Sequence, residues 1–160
     1  MKKLIFALFL LCAAQTSFAQ KAHDIFEQFK DKPKVEYVHI PRIMLNMARK
    51  FMKNDEDKDA IRIIKHIDSV RVLDLEECSA DVKAEFYNET KNFNAKGYDE
   101  LISTIEDGDK TLILTKGKGD TITELLILET GKEDCELVQI KGKITQAEID
   151  QIIKEHQKDK

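Results

Sequence analysis

Tryptophan is absent, proline occurs only as Pro33 and Pro41, and six glycines are spread through 160 residues. So thin a supply of Pro and Gly excludes collagen-like and low-complexity chains, and a hydrophobic content of 42% excludes general disorder. An excess of positive charge is missing too. The 26 Lys and Arg stand against 30 Asp and Glu, a formal charge of -4, which leaves no basic footprint for nucleic acid. Past the N-terminus no apolar run approaches the roughly 20 residues that a membrane-spanning helix needs. What remains is a chain of the length of one domain, able to bury its own core.

The one apolar run, Leu4 to Ala14, follows the basic start Met1-Lys2-Lys3 and precedes the small-residue site Ser17-Phe18-Ala19. That order is the pattern of a secretory signal peptide, with cleavage expected between Ala19 and Gln20. Residues 20–160 then form a single domain of 141 residues, and loss of Lys2 and Lys3 takes the formal charge from -4 to -6. The product is expected in the periplasm or outside the cell, with no membrane insertion once the signal is gone. Lipid attachment at Cys12 would need a small residue before it, and Leu11 stands there.

Cleavage removes Cys12 and leaves Cys78 and Cys135, in a compartment where disulfides persist. One bridge, Cys78 to Cys135, is open to such a chain. It would close a loop of close to sixty residues, for which chain entropy estimates roughly 4 kcal/mol. Two buried thiols that never pair are the alternative.

Hydrophobic spacing lays out the elements. Ala22, Ile25, Phe26 and Phe29 trace a helix that stops at Lys32-Pro33, and Val35 to Ile40 alternate as a strand. Pro41 opens a helix whose stripe is Met44, Met47, Ala48, Phe51 and Met52, ending near Lys53. The charged run 54–59 leads into a short helix through Ile61, Ile63, Ile64 and Ile67, and a strand covers Ser69 to Glu76. Ser79 caps a helix carrying Val82, Phe86, Thr90 and Phe93. Beyond Gly97 come four strand-like runs, Tyr98 to Ile105, Lys110 to Thr115, Thr121 to Glu129 and Cys135 to Ile144, separated by short Gly-bearing turns. A capping box, Thr145-Gln146-Ala147-Glu148, starts a last helix with Ile149, Ile152, Ile153 and His156. The expected fold is α+β, a mainly antiparallel sheet ending in a four-strand meander, with helices packed on one face.

No stretch carries a catalytic or metal signature. Asp55, Asp57 and Asp59 have calcium-loop spacing, but Ala60 and His66 replace the required Gly and Glu. His23, His39, His66 and His156 are scattered, and no H-E-x-x-H or C-x-x-C zinc pattern occurs. Ser69, Ser79 and Ser103 sit in no nucleophile elbow, and Gly117-Lys118-Gly119-Asp120 is a hairpin turn without phosphate-loop spacing. No cofactor is implied. Met44, Met47 and Met52 suit either a core or an adaptable surface, the core being the commoner fate. Lys110, Lys116, Lys118, Lys132, Lys141 and Lys143 read as guards against edge-to-edge aggregation.

Several short segments together resemble a known family: Phe18-Ala19-Gln20, Val70-Arg71-Val72-Leu73, Gly97-Tyr98-Asp99-Glu100-Leu101, Glu106-Asp107-Gly108, Glu124-Leu125-Leu126-Ile127-Leu128 and Ile140-Lys141-Gly142-Lys143-Ile144. They are similar to the domain of unknown function 4252, small exported proteins found chiefly in Bacteroidetes. The resemblance implies an envelope location and transfers no functional residue. The functional expectation is a non-enzymatic module that binds a protein or peptide partner through the sheet face or an edge of the meander. A small hydrolase with a non-local site, or a carrier of an apolar ligand between the Met44, Met47, Phe51 helix and the sheet, are the competing readings.

Overall fold

The computed structural model describes residues 19–52, 58–93, 95–131 and 134–156. The expected signal segment before Ala19, the end of the methionine helix at Lys53, Asp55 and Asp57 of the charged run, and Lys132 lie outside these residues. Helix α1 (Ala19–Phe29) leads into strand β1 (Glu36–Pro41). Helices α2 (Arg42–Phe51) and α3 (Lys58–Ile64) follow, then β2 (Ile67–Asp74) and α4 (Ala80–Thr90). The meander is β3 (Asp99–Glu106), β4 (Asp109–Lys118), β5 (Thr121–Thr130) and β6 (Cys135–Thr145), and α5 (Gln146–His156) closes the chain.

All six strands form one open sheet in the order β1-β2-β6-β5-β4-β3, and every neighbouring pair is antiparallel. The α+β class and the four-strand C-terminal meander are therefore as expected, including a strand for Asp99–Glu106. Turn chemistry sets the register. Asp107 and Gly108 both hold positive φ, 51° and 94°, between the paired Glu106 and Asp109, which is what a two-residue hairpin turn of the primed type demands. At the next hairpin the ladder extends to Lys118 and Thr121, so the five-residue separator expected there shrinks to Gly119-Asp120.

One part of the expected architecture is corrected: helices cover both faces of the sheet, not one. Residues along β5 alternate between two cores. Leu126 and Leu128, with Leu112, Leu114, Leu73 and Leu137, meet α1 and α4 through Phe26, Phe29 and Phe86. Leu125 and Ile127, with Ile113, Val138 and Ile140, meet Leu45 of α2, Ile63 of α3 and Ile149 and Ile153 of α5. The cause is visible in the run Glu124-Leu125-Leu126-Ile127-Leu128: a strand that is continuously apolar must be buried on both sides. Each fully buried Leu or Ile contributes about 1.5–3 kcal/mol relative to exposure.

Local differences have local causes. Ile67 begins β2 instead of ending a helix, because Lys65 and His66 close a turn onto Ile61 and Ile63. Pro41 is the N-cap of α2 and the last residue of β1, one position earlier than the first helical turn. Ser79 occupies the N-cap of α4 without a side-chain capping bond.

Candidate functional site

The stripe expected to bury α2 turns away from the sheet. Leu45 alone is buried, Met52 is half-buried, and Ile43, Met44, Met47 and Phe51 are exposed. This corrects both the core reading of the methionines and the place proposed for an apolar cargo, since Met44, Met47 and Phe51 do not face the sheet. Amphipathic spacing shows that a stripe exists but not which side meets the sheet. The Leu45–Met52 pair, seven residues apart, was the only hint of the true inner face.

The lysines expected to guard edges lie on inner strands. Lys110, Lys116 and Lys118 are on β4 and Lys141 and Lys143 on β6, strands inside the sheet order, although the β3 ladder stops at Thr115 and leaves Lys116 and Lys118 paired to β5 alone. The true edges are β1 and β3. β3 is exposed along its length apart from Ile102, and it shows Leu101 and Ile105 to solvent. Acidic side chains flank these two: Asp99 and Glu100 on one side, Glu106 and Asp107 on the other.

Two concavities adjoin the β3–β4 tip. A groove of about 600 Å³ runs between α4 and the turns, lined by Ala80, Lys83, Ala84, Tyr87, Asn88, Gly108 and Gly131. A second, of about 380 Å³, carries five carboxylates, those of Glu106, Asp107, Asp109, Glu129 and Asp134, beside Lys110. Among the described residues no three His, Cys, Asp or Glu side chains converge as metal ligands.

Polar groups concentrate at three further places. Glu124, buried on β5, accepts on one oxygen from Gln139 Nε2 (2.5 Å) and from the Tyr98 hydroxyl (3.1 Å). Burial, then the Glu124 charge and the hydrogen bond to it, push the Tyr98 phenol well above the ordinary tyrosine range. Arg71 lies over the Phe26 ring at 4.6 Å and its guanidinium donates to His23 Nδ1 at 3.1 Å. His39 neighbours Arg71 in register on the exposed edge β1.

Among the described residues His66 and Glu148 form the one His–carboxylate pair, Nδ1 to Oε1 at 2.7 Å. Glu148 Oε2 also accepts from the Thr145 N–H (2.8 Å) and hydroxyl (2.9 Å). The capping box is therefore formed on the glutamate side, while the Thr hydroxyl bonds the carboxylate and not a backbone N–H. Burial acts upward on the Glu148 carboxyl and is the largest single influence. The Thr145 N–H, His66 and the Thr145 hydroxyl together hold it below its ordinary value. His66 was legible only as an isolated residue, because its partner lies 82 positions away. The serines are dispersed, Ser69 on β2, Ser79 before α4 and Ser103 on β3. The side chain of His156 is outside the described residues.

Cys78 and Cys135 are buried free thiols in the same core. Cys78 Sγ donates to the Pro33 carbonyl (3.6 Å) and Cys135 Sγ to that of Gly131 (3.3 Å). Burial pushes both thiols up. Leu75 stitches their backbones, donating to the Cys135 carbonyl and accepting from the Cys78 N–H.

Fold and surface define a small α+β protein built on an open antiparallel sheet, with uncovered apolar residues on an edge strand and on a helix. The chain belongs to the family described as Domain of unknown function (DUF4252), which it matches over residues 29–152. No curated protein and no solved structure matches it.

Proposed function

We propose that this is an exported, non-enzymatic protein of the cell envelope, periplasmic or secreted, that binds an extended protein or peptide partner along the free edge of β3. The observation that carries the reading is the exposed pair Leu101 and Ile105 on an eight-residue edge strand that is paired with β4 on one side and has no neighbouring strand on the other. A partner strand added there gains backbone hydrogen bonds, and its alternate side chains reach the sheet's two faces. The groove beside α4 supplies apolar contact near the Tyr87 ring, and the five carboxylates at the hairpin tip favour basic side chains on the partner. Export rests on the N-terminal sequence pattern.

The hydrolase reading would draw on His66 and Glu148. That carboxylate already holds the first turn of α5, which is a structural task. A Cys78–Cys135 bridge remains part of the proposal, supported by the shared core and the Leu75 stitch. Intact mass of protein taken from envelopes tests both processing steps: cleavage after Ala19, and loss of two hydrogens on oxidation.

Cross-linking in native envelopes, repeated with Ile105→Glu, tests the binding reading. A protein partner that is recovered with the wild type and lost with the folded variant is the expected result. Equal recovery by both would place binding elsewhere, and hydrolysis abolished by His66→Ala would overturn the reading.

A further inference from the structure

We propose that the outer arc of α2 is a self-association surface on which a second copy of this chain docks, α2 against α2, antiparallel and centred on Met47. The two-fold pairing uses a surface separate from β3. α2 lies against β1 and β2, and β3 is the opposite edge of the sheet.

The geometry starts from Leu45, which points into the core. At 100° per residue, Ile43 and Met47 lie about 160° round the helix from it, and Phe51 and Met44 complete an apolar arc roughly 100° wide on the outer side. Exposure agrees: Phe51 81%, Ile43 69%, Met44 and Met47 53% each, with Val38 of β1 at 45%. The four side chains of the arc, at roughly 200 Å² each, present about 500 Å² of apolar surface, within the range of the largest patch on a monomer. Paired by a two-fold axis, two arcs remove about 1,000 Å², the area that a specific interface must reach.

The order of residues on the arc is its own complement. Ile43 and Phe51 stand four residues before and after Met47, so antiparallel pairing sets each Ile43 against a Phe51 and Met47 against itself. Charge selects the same direction. α2 carries Arg42, Arg49 and Lys50 and no acid. A parallel pairing would oppose each Lys50 to its copy, whereas the antiparallel one offsets the two lysines by about 9 Å along the axis.

The test uses the mature chain. Sedimentation velocity at micromolar concentration should give the mass of two chains, falling to one for Met47→Glu with an unchanged circular dichroism spectrum and a melting temperature that no longer rises with protein concentration. Under mild oxidation Met47→Cys should cross-link to itself. Phe51→Cys should not, since its copy is about 12 Å away along the axis, but mixed with Ile43→Cys it should form the hetero-linked pair. Wild type, whose two cysteines Cys78 and Cys135 are both buried, is the blank. A wild-type monomer overturns the proposal. If its Met47→Cys thiol then reacts freely with maleimide, the arc is open to some other occupant, and if it is protected, the arc is covered within its own chain. Dimers that link Phe51→Cys to itself would overturn the antiparallel geometry.

Discussion

His66 Nδ1 lies 2.7 Å from Glu148 Oε1, so the turn that enters β2 is held directly by the first turn of α5. The backbone makes the same connection: Lys143 N–H donates to the His66 carbonyl at 2.8 Å. A Cβ at Gly142 would run into that carbonyl, which is why only glycine fits there. One carboxylate thus joins the last strand–helix junction to an element half the chain away.

Glu148→Ala should cost about 1–2 kcal/mol at neutral pH, the loss of a helix cap and a charge-assisted bond together. The sign with pH follows from the carboxyl being held below its ordinary value of 4.5. Its contribution is fully present above the unfolded-state value and fades as pH falls through the lower folded one. Urea unfolding of wild type and Glu148→Gln from pH 7 to pH 3 should show the gap closing with acid. A gap that widens would contradict the assignment.

Leu125→Ala and Leu126→Ala should each destabilise by about 2–5 kcal/mol, because adjacent residues of β5 enter different cores. A sheet covered on one face would lose stability at only one of the two. Denaturant midpoints of both variants decide this.

Tyr98 should be the last tyrosine to ionise. Its phenol is shielded by burial and faces Glu124, so its raised value protects the neutral form. Stability is unaffected below the ordinary tyrosine value of 10.0 and is lost as pH rises beyond it, where the unfolded chain deprotonates first. Absorbance titration near 295 nm should show the steepest part of the alkaline limb disappear in Tyr98→Phe.

Thr130 is 2% exposed and its hydroxyl has no hydrogen-bond partner among the described residues. Thr130→Val keeps the shape and removes the unpaired group, so the melting temperature should rise, by an amount equivalent to about 1 kcal/mol. A fall would show that the hydroxyl is satisfied in solution.

By itself the sequence determined the elements and the local pairing. Apolar spacing located α1, α4 and α5, and Asp107-Gly108 set a hairpin whose register no other residue needed to specify, because such signals act within a few positions of the chain. Tertiary structure decided the rest. The placement of β2 beside β6 left β3 and not the lysine-bearing strands at the edge. The side of α2 that meets β1 and β2 turned its methionines outward. The pairing of His66 with Glu148 needed a chain reversal of 82 residues. An amphipathic pattern states that two faces differ, yet which face is covered depends on what the finished sheet places beside it, and that is a property of contacts distant in sequence.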